Sequence, residues 1–113
     1  MIIDIIVYRI LPDQYHTIYC TAIKYGSSSE WNFAYQMSFN VTSSQHRDRL
    51  LEALGCSREP WLLVRYLSLA LDVDSGIRRQ DGPLVVGAVA KNPIARSIVF
   101  AFLRHRFDEL VHQ

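Results

Sequence analysis

Residues 55–82 read GCSREPWLLVRYLSLALDVDSGIRRQDG. Helix signals bracket the apolar centre of this stretch. Gly55 stops one helix, and Ser57 is placed to cap the next, with Pro60 inside the first turn, where a missing N–H does no harm. Cys56 and Trp61 stand where a hydrophobic staple would put them. Leu62, Leu63, Val64, Tyr66, Leu67, Leu69, Ala70 and Leu71 leave little polar face, which predicts a helix covered on several sides. A polar island, GIRRQDG at residues 76–82, then separates this run from a second apolar one, PLVVGAVA. Such an island suits a charged site, a phosphate-binding turn or a joint between helices. It lacks the Walker lysine and follows no strand, so it is a poor phosphate loop.

The same grammar extends in both directions. Pro12 and Asp13 open a segment with Ile18, Tyr19, Ala22 and Ile23 at helical spacing, and Gly26 ends it as a left-handed cap. Ser27 and Glu30 form a capping-box pattern ahead of Trp31, Ala34 and Tyr35. Ser43 or Ser44 caps a third helix, with Leu50, Leu51 and Leu54 inward and residues 46–49 mostly outward. Asp81 is placed to cap a helix from about Gly82 to Lys91, and Asn92-Pro93 to open a last one. That helix carries an apolar band of Ile94, Ile98, Val99, Phe102, Leu103, Phe107 and Leu110. Six short helices joined by tight turns predict an all-α fold of stacked antiparallel helix pairs, a HEAT/armadillo-like α-solenoid fragment.

Composition narrows the function. The chain has 113 residues, half of them apolar, and a formal net charge of +1. That is enough for one small domain with a core, and nucleic acid is not an expected partner. The amino-terminal MIIDIIVYRIL is too short and too charged for a membrane span and has no signal-peptide pattern, so no anchor or leader is expected within this chain. Its abrupt start suggests that the segment's natural partner lies upstream of Met1.

Recognisable catalytic machinery is missing from the sequence. There is no H-E-x-x-H, no serine elbow and no C-x-x-C pair. His105, Glu109 and His112 share a helical face, but a closed metal site would need ligands from a second helix. Asn40-Val41-Thr42 is a glycosylation sequon at a turn between helices. Cys20 and Cys56 are either two buried thiols or one disulfide, worth roughly 4 kcal/mol on a chain-entropy argument. Composition leaves both open. Phe100 stands off the inward band between Arg96 and Arg104, either covered by arginine stems or touching another domain.

Longer motifs then come into view. YCTAIKYGSSSEWNFA, LLEALGCSREPWLLVRYLSLALD and IRRQDGPLVVGAVAKNPIARSIVFAFLRHRFDEL resemble the carboxy-terminal helical domain of M1 zinc aminopeptidases, the aminopeptidase N and endoplasmic-reticulum aminopeptidase family. The resemblance runs from about Leu11 to Leu110 and leaves residues 1–10 unmatched. It rests on the order of Tyr19-Cys20, Glu30-Trp31, Cys56, Arg65-Tyr66-Leu67, Ile77-Arg78, Gln80-Asp81 and Asn92-Pro93. Phe100-Ala101 and Phe107 depart from it, because the family often has tryptophan at 100 and 107.

The resemblance implies a non-catalytic domain that covers and shapes the substrate chamber of an upstream catalytic domain. Zinc would sit in that missing domain, and this chain would hold no cofactor. It also implies a Cys20–Cys56 disulfide and a place on the extracellular or luminal side of a membrane, in an anchored or secreted enzyme, with which the sequon's expected glycan at Asn40 agrees. Expected partners are the catalytic domain, peptide substrate indirectly, and a second copy in a homodimer. Arg65, Arg78, Gln80, Asp81 and Phe100 are the candidate structural or interdomain residues, with Arg78 or Arg79 pairing to carboxylates or helix ends. The alternative is a stand-alone helical binding module derived from such a domain.

Overall fold

Short polar residues and glycines punctuate a computed structural model that describes residues 15–111, with side chains described for 16–108. Six α-helices form: α1 (Tyr15–Tyr25), α2 (Ser28–Asn40), α3 (Ser44–Leu54), α4 (Pro60–Leu71), α5 (Gly82–Ala90) and α6 (Arg96–Val111). A single 3₁₀ turn, Arg79–Asp81, leads into α5, and no strand occurs among the described residues. The fold is all-helical, in packed helix pairs. The segments around Pro12, Asp13 and residues 1–10 lie outside the described residues.

Local chemistry sets most boundaries. Ser27 caps α2 in a full capping box: its hydroxyl accepts from the Ser29 N–H, and its own N–H donates to Glu30 at 2.7 Å. The Ser27 hydroxyl also donates to Glu30 at 2.6 Å and, with the backbone bond, holds that carboxyl below its ordinary range. Ser43 caps α3 by accepting from the His46 N–H. Pro60 occupies the first turn of α4. Gly76 has φ +92, a left-handed backbone that glycine adopts without cost, and the Phe39 ring covers it.

Four expected caps and joints take a different form. Gly26 is not left-handed. It is required for space, since a Cβ there would lie 2.5 Å from the Ala22 carbonyl oxygen. Ser57 does not cap α4; its hydroxyl accepts from the Glu59 N–H, and Glu59 is the N-cap without a side-chain bond. Cys56 bonds to Cys20 and Trp61 is 54% exposed, so no covered staple forms. Asn92-Pro93 starts a turn rather than a helix, with the Ala95 N–H bonded to the Asn92 carbonyl, and α6 begins at Arg96.

Helix α3 is the centre of the packing, with α1, α2 and α5 against it. Its buried Leu51 and Leu54 join Trp31, Tyr66, Leu62, Leu63, Leu67, Val85 and Val89 in the main core. Tyr19, Leu50 and Ala53 form a smaller core between α1 and α3. Residues 46–49, expected mostly outward, are half-buried.

The carboxyl end of α3 is capped by bonds from several other segments. A helix leaves its last four carbonyls without intrahelical partners. Here each has one. Tyr66 Oη donates to the Leu51 carbonyl at 2.6 Å, and Trp31 Nε1 to the Leu54 carbonyl at 3.0 Å. The Gly55 N–H reaches Glu52, and the Cys56 N–H reaches Ala53. One turn further, Asn92 Nδ2 donates to the carbonyls of Gly55 and Ser57 at 2.9 and 2.8 Å. Gly55 has no room for a side chain, because a Cβ would lie 2.7 Å from the backbone of Ala88. The Cys20–Cys56 disulfide ties α1 to the same point. Side chains from four other segments therefore converge on one helix end.

Candidate functional site

The polar island folds into a joint whose Ile77, Asp81 and Gly82 are buried while Arg78, Arg79 and Gln80 stay exposed. Arg78 donates from Nε and a terminal nitrogen to the two Asp81 carboxylate oxygens, at 2.9 and 3.2 Å. Asp81 is 7% exposed, so this fork satisfies an otherwise costly buried charge. Asp81 consequently makes no side-chain cap bond to α5, contrary to the sequence reading. The pair lines a cleft of about 280 Å³ with Arg47, Phe39, Leu51 and Ile77. Gln80 is exposed on the 3₁₀ turn.

The loop before the island is tied to the core. Tyr35 Oη donates to the Ser75 carbonyl at 3.2 Å, and the Ser75 hydroxyl donates to the Leu69 carbonyl at 2.7 Å. Burial raises the Tyr35 and Tyr66 hydroxyl pKa values above the ordinary range, so both remain donors at neutral pH. Arg65 lies on a different surface. Its guanidinium stands 5.7 Å from the Trp31 ring centroid and donates to Asn32 Oδ1 at 3.3 Å, linking α4 to α2.

Metal chemistry finds no geometry here. Among the described residues, no group of three or more His, Cys, Asp or Glu could hold an ion. His105 is exposed on α6, and the side chains of Glu109 and His112 lie outside the described residues. No described helix is long and apolar enough to cross a membrane. Asn40 ends α2 exposed, with its side-chain amide bonded locally to the Gln36 carbonyl at 3.1 Å.

Helices α4 and α6 differ most from expectation. The first was predicted to be covered on several sides, yet Trp61, Val64 and Leu71 are exposed beside the buried Leu62, Leu63, Tyr66 and Leu67. Ala95, in the turn before α6, and Val99 on it are buried, with Ile98 and Phe102 half-buried. Ile94, Leu103 and Phe107, expected inward, are 47, 47 and 64% exposed. Phe100 is 67% exposed, with the Arg104 guanidinium 5.5 Å from its ring centroid. Residues 100, 103 and 107 fall at i, i+3 and i+7, one face of a helix. That spacing was the available signal, but an apolar sequence on all sides of α6 hid it.

Comparisons with known proteins fit this architecture. The ERAP1-like C-terminal domain family matches residues 8–113. Aminopeptidase N of Rattus norvegicus is 39% identical over 99 residues, which is 88% of this chain and 10% of the relative. Aminopeptidase N of Homo sapiens is 38% identical over 99 residues, with the same 88% and 10% coverage. Aminopeptidase Ey of Gallus gallus is 31% identical over 104 residues, 92% of this chain and 11% of the relative. The chain thus spans about a tenth of the length of these relatives. With an all-helical fold and a match over nearly its whole length, the chain belongs to the ERAP1-like C-terminal domain family, the carboxy-terminal domain of M1 aminopeptidases.

Proposed function

We propose that this chain is the non-catalytic carboxy-terminal domain of a zinc aminopeptidase that removes amino-terminal residues from peptides. It acts on that chemistry by shape, covering the catalytic domain's cleft and bounding the chamber that peptides enter. The family match over residues 8–113 is the observation that carries this reading. The sequence also has no H-E-x-x-H. Zinc is then supplied elsewhere in the enzyme, and peptide meets this chain only as part of the chamber wall. The packed pairs form a segment of an α-solenoid, stacked on neighbouring helices of the enzyme.

The same reading places the domain on the extracellular or luminal side of a membrane, where the Cys20–Cys56 bond persists and exposed Asn40 accepts a glycan. Pairing with a second copy belongs to this proposal too. The direct test is hydrolysis of an aminoacyl chromogenic substrate by the pure 113-residue chain, with and without added zinc. No turnover is expected in either case. Zinc-dependent turnover that survives repurification would contradict a non-catalytic role.

One observation favours a second reading, a stand-alone binding module: the apolar face of α6 is open in the chain by itself. An in-frame H-E-x-x-H coding segment upstream in the transcript would exclude the module reading.

A further inference from the structure

The outer face of a helical stack stays soluble when it is polar, whereas the exposed face of α6 carries three large apolar side chains among its charges. Phe100, Leu103 and Phe107 are all exposed on one side of it. At 100° per residue, Arg96 and Arg104 fall within about 40° of Phe100, so two cations stand on the same stripe. Arg104 already lies over the Phe100 ring, where its stem covers apolar surface while its charge stays outward. The buried Val99 borders the stripe on the Leu103 side, one turn before Leu103, so the exposed stripe begins where the packed side of the helix ends. Scattered single apolar residues are ordinary on a surface; three large ones at i, i+3 and i+7 form the anchor pattern of a helix that docks along a groove or another helix.

We infer that the Phe100–Leu103–Phe107 stripe of α6 is the docking surface for a helix of the enzyme's own remaining polypeptide, one with an apolar face rimmed by carboxylates. The occupant follows from length and charge. About nine-tenths of each relative lies outside the matched segment, so the same polypeptide supplies ample partner surface. The two arginines require counter-charges once water is removed, and Asp or Glu beside an apolar face provides them. This inference rests on the aminopeptidase-domain reading and adds to it the face and the chemistry of its partner.

The test reads how accessible the stripe is in two settings. Leu103→Cys and, about 100° or more round the helix from the stripe's centre, Ala101→Cys each add one thiol to a chain whose own cysteines are bonded. Each variant is made as the isolated 113-residue chain and as a graft into rat aminopeptidase N in place of its matching segment. Maleimide labelling of Leu103→Cys is expected to be about 10-fold or more slower in the graft, with Ala101→Cys slowed far less. Adding Arg96→Glu and Arg104→Glu to the graft should restore labelling at position 103. Equal labelling rates at 103 in the isolated chain and an active, secreted graft would overturn the docking face alone. Unchanged protection with both glutamates present would overturn an acidic partner. A graft that is neither secreted nor active in any version would count against the domain reading itself.

Discussion

The carboxyl end of α3 and the outer half of α6 show two ways of ending a helix. At α3 every terminal carbonyl has a donor, four other segments supply side chains, and a disulfide crosses the joint. From Phe100 to Asp108, only Phe102 is even half-buried. One end is complete within this chain, while the other exposes the kind of surface proteins normally cover. The difference separates what holds the domain together from what it offers to the rest of an enzyme. It also accounts for the arrangement of the motif residues. Cys20, Trp31, Cys56, Tyr66 and Asn92 meet at one helix end and serve as joints, with no reacting group among them.

Breaking the α3 end should cost most. Trp31 is 1% exposed, stacks on Tyr35 at 5.3 Å and meets Tyr66 edge-on at 5.4 Å. Trp31→Ala empties that space and strips the Leu54 carbonyl of its donor, so chemical unfolding should show a loss of about 5 kcal/mol. Replacing both Cys20 and Cys56 by serine opens a loop of 36 residues and should cost roughly 4 kcal/mol, read in the same titration against the oxidised chain. Asn92→Ala leaves two half-buried carbonyls without their donor, for a loss of about 2 kcal/mol in thermal or denaturant unfolding.

The contrast explains which parts of the structure were legible in the sequence. The α3 end was legible in outline because its pieces obey local rules. Ser27 with Glu30, Ser43 ahead of the leucines, and Pro60 in a first turn all depend on neighbours within a few residues. Its long-range bonds were not legible. Nothing near Asn92 shows that its amide crosses 37 residues to Gly55, so the residue read as a helix cap. Asp81 misled for a related reason. An aspartate before Gly-Pro looks like a cap, but Arg78 three residues earlier takes both its oxygens. Composition also left the two cysteines undecided between thiols and a bond, and the family resemblance, not their spacing, pointed to pairing.

Helix α6 was misread because its sequence is apolar nearly all the way round. Periodicity then fits two faces, Ala95 with Val99 and Phe102, or Phe100 with Leu103 and Phe107. Only packing against α4 and α5 decides between them. Helix α4 has the same ambiguity on a smaller scale, with Trp61 and Leu71 exposed beside a buried core face. The smallest expected effect follows. Phe107→Ser should change the stability of the isolated chain by no more than about 0.5 kcal/mol, since a 64% exposed side chain has little to lose. A loss several times larger in thermal unfolding would mean that Phe107 packs as core and that α6 is not an open face.

Hydrogen exchange of the isolated 113-residue chain tests the contrast between the two helix ends most directly. Amides at residues 50–55 and 62–67 should exchange only through global unfolding, and all of them should slow together as stability rises. Amides of α6 beyond Phe100 should exchange through local opening, faster by about two orders of magnitude or more, and should be insensitive to mild denaturant. Equal protection across α3, α4 and the outer half of α6 would contradict the division into a closed joint and an open docking face.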